Sequence, residues 1–320
     1  MKIVLLGPIV ADYGARLKQM LRVPAEIAAI ADPHGADAHA ALADAEVAIL
    51  NEWTADMLPA PRLRLIQVGG AGTDAIDQAA IPPGVPLCNA FGHEPAIAEY
   101  VVGSLLSWFH NLRGLDRSFR AGSWSLSPFA QGAMHEELAG RTVGILGVGR
   151  VAGEIARRLA PFDVQVIGCN RSGRPANGIE RVLPITELSG FLAACDVIVV
   201  ACALTPETQG LLDADRLAEL PRHAVLVNIA RGPIIVEAAL FAALKTRRIA
   251  GAILDVWYRY PTPDAPDARP AAEPFHTLDN VLMTPHASAW TPAMLTRRID
   301  QVADNINRLA TGEPLLNRVE

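Results

Sequence analysis

The sequence has no apolar run approaching the roughly 20 residues that a membrane-crossing helix needs, although 51% of its 320 residues are hydrophobic. It has no basic block and its net charge is −6, so nucleic acid and an anionic membrane surface are poor candidate partners. Cysteine is scarce: Cys88, Cys169, Cys195 and Cys202 are the only four. They form neither a CxxC pair nor a metal-ligand spacing. Three lie in or beside apolar runs, where cysteine serves as a small core residue. No metal site is expected. The opening Met1-Lys2-Ile3-Val4-Leu5-Leu6-Gly7 matches a secretory apolar region only briefly and has no cleavage site, so it reads as a first strand. These absences point to a reduced, cytoplasmic, soluble protein. Its length suffices for a large core, divided over two domains rather than one.

What is present is alternation. Short apolar runs at 2–6, 47–50, 63–68 and 86–88 alternate with helical patterns, as in a parallel α/β sheet. A helical pattern then runs from Glu94 to Trp108, with Pro95 acceptable in its first turn. Residues 120–137, rich in Gly, Ser and Trp, read as an arm. A second series of strands is expected near 143–146, 164–167, 197–201, 224–228, 249–254 and 281–283, close to a full doubly wound set. A last helical pattern over 292–310 returns to the first domain. The expected architecture is a nucleotide-binding domain, residues 93–287, inserted into a smaller α/β domain formed by residues 1–92 and 288–320. One loop, 260–278, carries Pro261, Pro263, Pro266, Pro270 and Pro274. A long, stiffened loop of this kind is often functional.

The inserted domain opens on Thr142-Val143-Gly144-Ile145-Leu146-Gly147-Val148-Gly149-Arg150-Val151-Ala152. An apolar strand breaks at Gly147-x-Gly149 and an amphipathic helix follows over 150–159, which is how a dinucleotide-binding turn reads. The small residues admit a pyrophosphate to the backbone amides, and the helix N-terminus faces it with its positive end. Ala152 takes the place of the pattern's third glycine.

Three polar residues each follow a strand at its carboxyl end, where open α/β sheets bind their ligands. Arg231 follows Asn228-Ile229-Ala230, Asp255 follows Ile253-Leu254, and His286 follows Met283-Thr284-Pro285. An arginine fork suits a planar carboxylate, and a histidine can pass a proton to or from an oxygen near neutral pH. Beside a nicotinamide, the pair suffices to interconvert an alcohol and a ketone next to a carboxylate. Taken singly, an arginine after a strand is usually solvated or structural, and a histidine beside proline is more often a loop hydrogen-bonder.

The words around these residues carry more. Asn228-Ile229-Ala230-Arg231-Gly232, Asp255-Val256-Trp257 and Thr284-Pro285-His286, in that order after the glycine turn, closely resemble the D-isomer-specific 2-hydroxyacid dehydrogenase family. So do Ala203-Leu204-Thr205-Pro206-Glu207-Thr208 and Gly70-Ala71-Gly72-Thr73-Asp74-Ala75-Ile76-Asp77. The resemblance covers nearly the whole chain. It implies a flavodoxin-like substrate lobe built from both termini, an inserted Rossmann lobe, a cleft active site and a homodimer. It also implies that Arg231 binds the substrate carboxylate and carbonyl, that His286 is the acid/base, and that the Ala71 and Gly72 amides hold the carboxylate. The cofactor-binding set expected by position is Gly147, Gly149, Arg150, Val151, Asn170, Arg171, Ser172, Ala203, Thr208, Ala230, Asp255, His286 and Ser288, with Asp255 orienting the nicotinamide or its surroundings.

The chain departs from the family five positions after Asp255, where Tyr260 replaces the usual glutamate. That glutamate favours the charged histidine; a tyrosine hydroxyl can hydrogen-bond an imidazole but brings no charge at neutral pH. Reduction is therefore expected to fall off at lower pH than usual for the family, unless Tyr260 only packs the loop or another carboxylate takes over. Formate dehydrogenases, relatives of this family, have an uncharged glutamine there and need no acid/base. Asp255-Val256-Trp257 and Ser288 also resemble that branch, while His93 stands where it has asparagine. His93 either touches substrate or only caps the long helix. A third reading is a dinucleotide sensor with little turnover, as in the C-terminal-binding protein corepressors of this fold. Such sensors tend to carry long polar tails, whereas this chain ends at Glu320, soon after its last helix.

NAD-binding folds usually close the second strand with a carboxylate on the ribose 2′-hydroxyl. Here Val164-Gln165-Val166-Ile167-Gly168-Cys169 leads to Asn170-Arg171-Ser172 and then Arg174. A carboxylate would repel a 2′-phosphate and none is there; the arginines offer it charge-assisted hydrogen bonds. The reading is NADP(H) in preference to NAD(H), against the alternative of ordinary surface arginines with Asn170 alone on the ribose. Trp53, Trp290 and Tyr258 are candidates to line the substrate side, although aromatics are also ordinary packing. The sequence as a whole reads as a two-domain α/β oxidoreductase that most readily reduces a small 2-oxo acid.

Overall fold

The computed structural model describes residues 1–262 and 265–319, apart from the side chain of Ala11. Pro263 of the proline-rich loop, Asp264 and Glu320 lie outside the described residues. The chain forms two compact units, one of Met1–His93 with Thr291–Glu320 and one of Glu94–Trp290.

The first unit runs β1 (Lys2–Leu6), α1 (Pro8–Ala11), α2 (Gly14–Met20), β2 (Glu26–Ile30), α3 (Ala36–Leu42), β3 (Val47–Leu50), β4 (Leu65–Val68) and β5 (Leu87–Cys88). Every pairing is parallel in the order β2-β1-β3-β4-β5, one of the doubly wound orders. All four residues of β3 and of β4 are buried, as strands covered on both faces require.

The second unit runs α4 (Glu94–Phe109), α5 (Leu112–Arg120), β6 (Thr142–Leu146), α6 (Arg150–Leu159), β7 (Gln165–Asn170), β8 (Val182–Pro184), α7 (Leu188–Ala193), β9 (Val197–Val200), α8 (Ala214–Glu219), β10 (Val225–Asn228), α9 (Glu237–Lys245), β11 (Gly251–Leu254) and β12 (Val281–Met283). Its sheet is parallel in the order β12-β11-β10-β9-β6-β7-β8. Counted from β6, this is the dinucleotide-binding order with one strand added. Helix α10 (Pro292–Thr311) rejoins the first unit, capped by the Thr291 hydroxyl, which accepts from Met294 N at 3.1 Å, and closed by Gly312 at φ 74°. Its buried Ile299, Val302 and Ile306 pack with Tyr13 and Leu17, and Asn305 donates to Gln67 at 2.8 Å.

Two strands are absent from the sequence reading, β2 and β8. Both lie at sheet edges, and β2, Glu-Ile-Ala-Ala-Ile, has no fully buried residue. An edge strand with small residues lacks both the continuous apolar run and the strict alternation by which strands are recognised. The expected arm begins earlier as helix, since α5 occupies 112–120 before the chain turns irregular.

Among the described residues, no helix is long and apolar enough to cross a membrane, and no group of three or more His, Cys, Asp or Glu could hold a metal ion. The four cysteines are free; Cys88, Cys169 and Cys195 are buried. Burial pushes the Cys195 thiol up to about 12, which suits a core residue rather than a nucleophile.

Candidate active site

The glycine turn at the end of β6 has the geometry of a nucleotide cradle. Gly147 stands at φ 96°, and a side chain there would put its Cβ 2.5 Å from the Cys202 amide nitrogen, so only glycine fits. Its own N–H donates to Cys169 O at 2.8 Å. Gly149, the N-cap of α6, has nothing within 4 Å of its Cβ position. The space above it is open, and α6 presents its unpaired first-turn amides there, with Arg150 and Val151 as its first residues. Asn177 steadies the turn by donating to Val148 O at 3.0 Å. Ala152, in the third glycine's place, is fully buried under the helix.

The ends of β7 and β9 flank this turn. Asn170 is spent on its own loop. Its carbonyl accepts Ser172 N at 3.0 Å and Gly173 N at 2.7 Å, and its amide donates to Arg174 O at 2.9 Å. These bonds occupy the Asn170 carbonyl and one amide hydrogen in building the turn. Arg171, Ser172 and Arg174 are exposed. The Thr208 hydroxyl accepts Thr205 N at 2.8 Å and donates to Ala203 O at 2.7 Å, closing the turn after β9. Beside it, Glu207 is held below the usual carboxylate range, chiefly by the Thr205 hydroxyl, with the charge of Arg171 contributing.

Arg231, Asp255 and His286 stand at the carboxyl ends of the neighbouring β10, β11 and β12. Asn228 closes the β10 turn, accepting Ala230 N at 3.1 Å and donating to Arg231 O at 3.0 Å. Arg231 is half-buried, and its Nη1 donates to Ala230 O at 2.8 Å.

Asp255 is fully buried. Its carboxylate accepts the Thr284 hydroxyl at 2.6 Å, Ala287 N at 2.8 Å and Ser288 N at 2.9 Å. The side chain has no exposed surface for a direct cofactor contact and holds the 284–288 turn, so of the two expected parts it is the surroundings that it orients. Ser288 is itself only 6% exposed. His286, exposed at the apex of that turn, adopts a left-handed φ of 56°, uncommon for a residue other than glycine.

Tyr260 approaches His286 with its ring, the centroids 5.5 Å apart and the planes at 53°. Its hydroxyl accepts Trp257 N at 3.2 Å. Trp257 and Tyr258 pack their rings on Phe275, so Tyr258 belongs to an aromatic cluster of this unit. Trp290 is 58% exposed at its end.

In the first unit, the Gly69-Gly70-Ala71-Gly72 turn follows β4. Gly69 N donates to Leu50 O at 2.9 Å, Ala90 N donates to Gly70 O at 2.8 Å, and Asn89 donates to Ala71 O at 2.9 Å. Ala71 is half-buried and Gly72 exposed. His93, immediately before α4, stacks on Phe91 at 6.4 Å. Trp53 is corrected: it is fully buried, and its indole N–H donates to Ala80 O at 3.1 Å. It fills the core and has no surface to offer a substrate.

Asn228 and Thr284 went unassigned as positioning residues. Polar side chains flanking Arg231 and His286 at strand ends were the available signal, but nothing in sequence shows which backbone groups they cap.

Residues 102–288 match the family model described as D-isomer specific 2-hydroxyacid dehydrogenase, NAD binding domain. A glyoxylate reductase of Thermofilum pendens is 32% identical over 262 residues, covering 79% of this chain and 74% of its own. A D-3-phosphoglycerate dehydrogenase of Archaeoglobus fulgidus is 32% identical over 262 residues, 81% of this chain but 48% of its own; the chain thus spans about half the length of that relative. Among solved structures, an NAD-dependent formate dehydrogenase from Staphylococcus aureus in complex with NAD is 29% identical with a TM-score of 0.80, covering 100% of this chain and 99% of its own. A D-isomer specific 2-hydroxyacid dehydrogenase from Xanthobacter autotrophicus in complex with NADPH is 31% identical with a TM-score of 0.78, covering 99% and 98%.

Proposed function

The chain belongs to the D-isomer-specific 2-hydroxyacid dehydrogenase family, and on that premise we propose that it is a nicotinamide-dependent reductase of a small 2-oxo acid. The observation that carries this reading is the arrangement of Arg231 and His286 at the carboxyl edge of the same parallel sheet that carries the open glycine turn.

The glycine turn, the first turn of α6 and the 203–208 turn fit the pyrophosphate and ribose of a dinucleotide. When bound, the reduced cofactor supplies hydride to the substrate carbonyl carbon. Arg231 binds the carboxylate with its fork and polarises the neighbouring carbonyl. His286 holds a proton on an imidazole nitrogen and delivers it to the carbonyl oxygen as negative charge develops there. Asn228 and Asp255 fix the two backbones that carry these side chains. The Ala71 and Gly72 amides hold the substrate carboxylate, with His93 and Trp290 as further substrate contacts. Loss of 2-oxo acid reduction in His286→Ala, with cofactor binding retained, tests this assignment; an unchanged rate contradicts it.

The same reading takes NADP(H) before NAD(H). Asn170 is committed to its loop, β7 ends without a carboxylate, and Arg171 and Arg174 are exposed beside it. The charge of Arg171 contributes to holding Glu207 below the usual carboxylate range, and the Glu207 carboxylate accepts the Thr205 hydroxyl at 2.7 Å.

We propose a homodimer formed through the 112–137 arm. Phe119, Trp124, Phe129 and Met134 are 61%, 57%, 89% and 96% exposed on this segment; Phe119, Trp124 and Met134 border a cavity of about 710 Å³, and Phe129 packs edge-on against Trp124. Exposed aromatics gathered in one patch mark an interaction surface rather than ordinary scatter, and a second copy is the occupant consistent with the family.

A further inference from the structure

The 284–288 turn that carries His286 hangs from the edge of its sheet. It follows β12, an edge strand of three residues, and it holds His286 at a left-handed φ of 56°. A backbone in that region persists where its surroundings over-determine it. Asp255 supplies one restraint from the end of β11, by accepting Ala287 N and Ser288 N. A second restraint comes from α4, within the same Glu94–Trp290 unit.

Helix α4 is a firm platform. Its Ala98, Val101 and Leu105 are fully buried with Val143, Val227 and Ile253 of β6, β10 and β11. Tyr100, half-buried on the same helix, meets the Thr284 hydroxyl at 2.7 Å. Counting protons fixes the direction of this bond. An ionised carboxylate only accepts, so the single hydroxyl hydrogen of Thr284 goes to Asp255 at 2.6 Å. Thr284 Oγ1 must then accept from Tyr100. Burial, with the charge of Asp255 adding to it, pushes the Tyr100 hydroxyl above its ordinary range, so it keeps the proton it donates. The main chain of Thr284 is held separately: the Trp257 indole N–H donates to its carbonyl at 2.8 Å, and its own N–H donates to Leu254 O at 3.0 Å. The side chain is therefore the part of Thr284 that Tyr100 governs. Without the Tyr100 donor the hydroxyl is free to rotate away from Asp255, and hydrogen bonds in a chain weaken together.

We propose that Tyr100 is a positioning residue for the proton-transfer step, its hydroxyl setting the His286 turn through Thr284 and Asp255. The inference rests on the reading of His286 as the proton donor. Tyr100 acts through the turn and not on the substrate, so its loss slows the chemical step and leaves binding alone.

Four variants of the full chain test it. Tyr100→Phe keeps the ring and removes the donor, Thr284→Val cuts the chain at its middle, Thr284→Ser keeps the hydroxyl, and Tyr100→Phe/Thr284→Val combines the first two. With glyoxylate or hydroxypyruvate, whichever the parent reduces faster, Tyr100→Phe is expected to lower kcat by about three- to tenfold, as loss of one hydrogen bond predicts, with the substrate KM and the NADPH Kd held within about twofold. Thr284→Val should lower kcat at least as far, and the double variant no further than Thr284→Val. Thr284→Ser should keep the parent's rate. Amide hydrogen exchange gives a readout that needs no turnover. The N–H groups of His286, Ala287 and Ser288 are expected to exchange about three- to tenfold faster in Tyr100→Phe, with those of β6 unchanged. The proposal is overturned by unaltered exchange at 286–288, by a change confined to KM, or by losses in kcat that add in the double variant. A parent that reduces neither acid contradicts the reading of His286 as proton donor, while the exchange rates still decide whether Tyr100 sets the turn.

Discussion

Asp255 holds His286 in place from beneath: its backbone carbonyl accepts the His286 N–H at 2.7 Å, and its carboxylate gathers Thr284, Ala287 and Ser288 on either side. The imidazole thus stands on a turn whose left-handed conformation is maintained by a buried charge. Replacing Asp255 with Asn keeps the volume but turns an NH2 group toward a backbone N–H. An unsatisfied buried donor costs about 1–3 kcal/mol, so Asp255→Asn is expected to lower the melting temperature by several degrees. It should reduce kcat for 2-oxo acid reduction far more than it raises KM. Thermal denaturation and steady-state kinetics on the same preparation check this; an unchanged kcat would show that the turn is held by other means.

Tyr260 offers His286 a ring rather than a charge. Introducing a carboxylate through Tyr260→Glu favours the protonated imidazole, so the alkaline limb of the reduction profile is expected to move to higher pH. The sign follows because reduction consumes the proton that His286 carries. A profile superimposable on the parent's would mean that residue 260 has no electrostatic part in the reaction.

Arg171 is the residue most exposed to test in the cofactor assignment. Removing one charge-assisted hydrogen bond to a phosphate weakens binding by about tenfold. Arg171→Ala is therefore expected to raise the KM for NADPH by about that factor and leave the KM for NADH unaffected. Equal effects on both cofactors would place the arginine's role elsewhere than at the 2′ position.

The arm is expected to be covered by a second copy. Phe129→Asp with Met134→Asp, two largely exposed positions, should convert a dimer into a monomer without lowering the helical content, as light scattering and circular dichroism would report. A parent protein that is already monomeric contradicts the dimer.

Much of this was legible in the residues. The central strands announce themselves because burial on both faces demands unbroken apolar runs, and the glycine turn and the positions of Arg231, Asp255 and His286 follow from strand ends. The edge strands β2 and β8 escaped because solvent on one side relaxes that demand. Trp53 misled because sequence position places it just past a strand but cannot show that its indole turns inward to Ala80. Asn170 and Asp255 show the same limit. Each sits where a ligand contact is expected, but Asn170 bonds its own loop and Asp255 bonds the 284–288 turn, through hydrogen bonds that only the folded backbone defines. Asn228 and Thr284 reveal their roles by the same means.

The most direct test of the account is NADPH oxidation by the purified protein with a panel of 2-oxo acids: glyoxylate, hydroxypyruvate, pyruvate and bulkier aryl examples. The account predicts turnover with at least one of them, abolished in His286→Ala and strongly reduced in Arg231→Ala. Absence of turnover with every 2-oxo acid, in a protein that still binds NADPH, would contradict it and turn attention to formate oxidation or to a binding role.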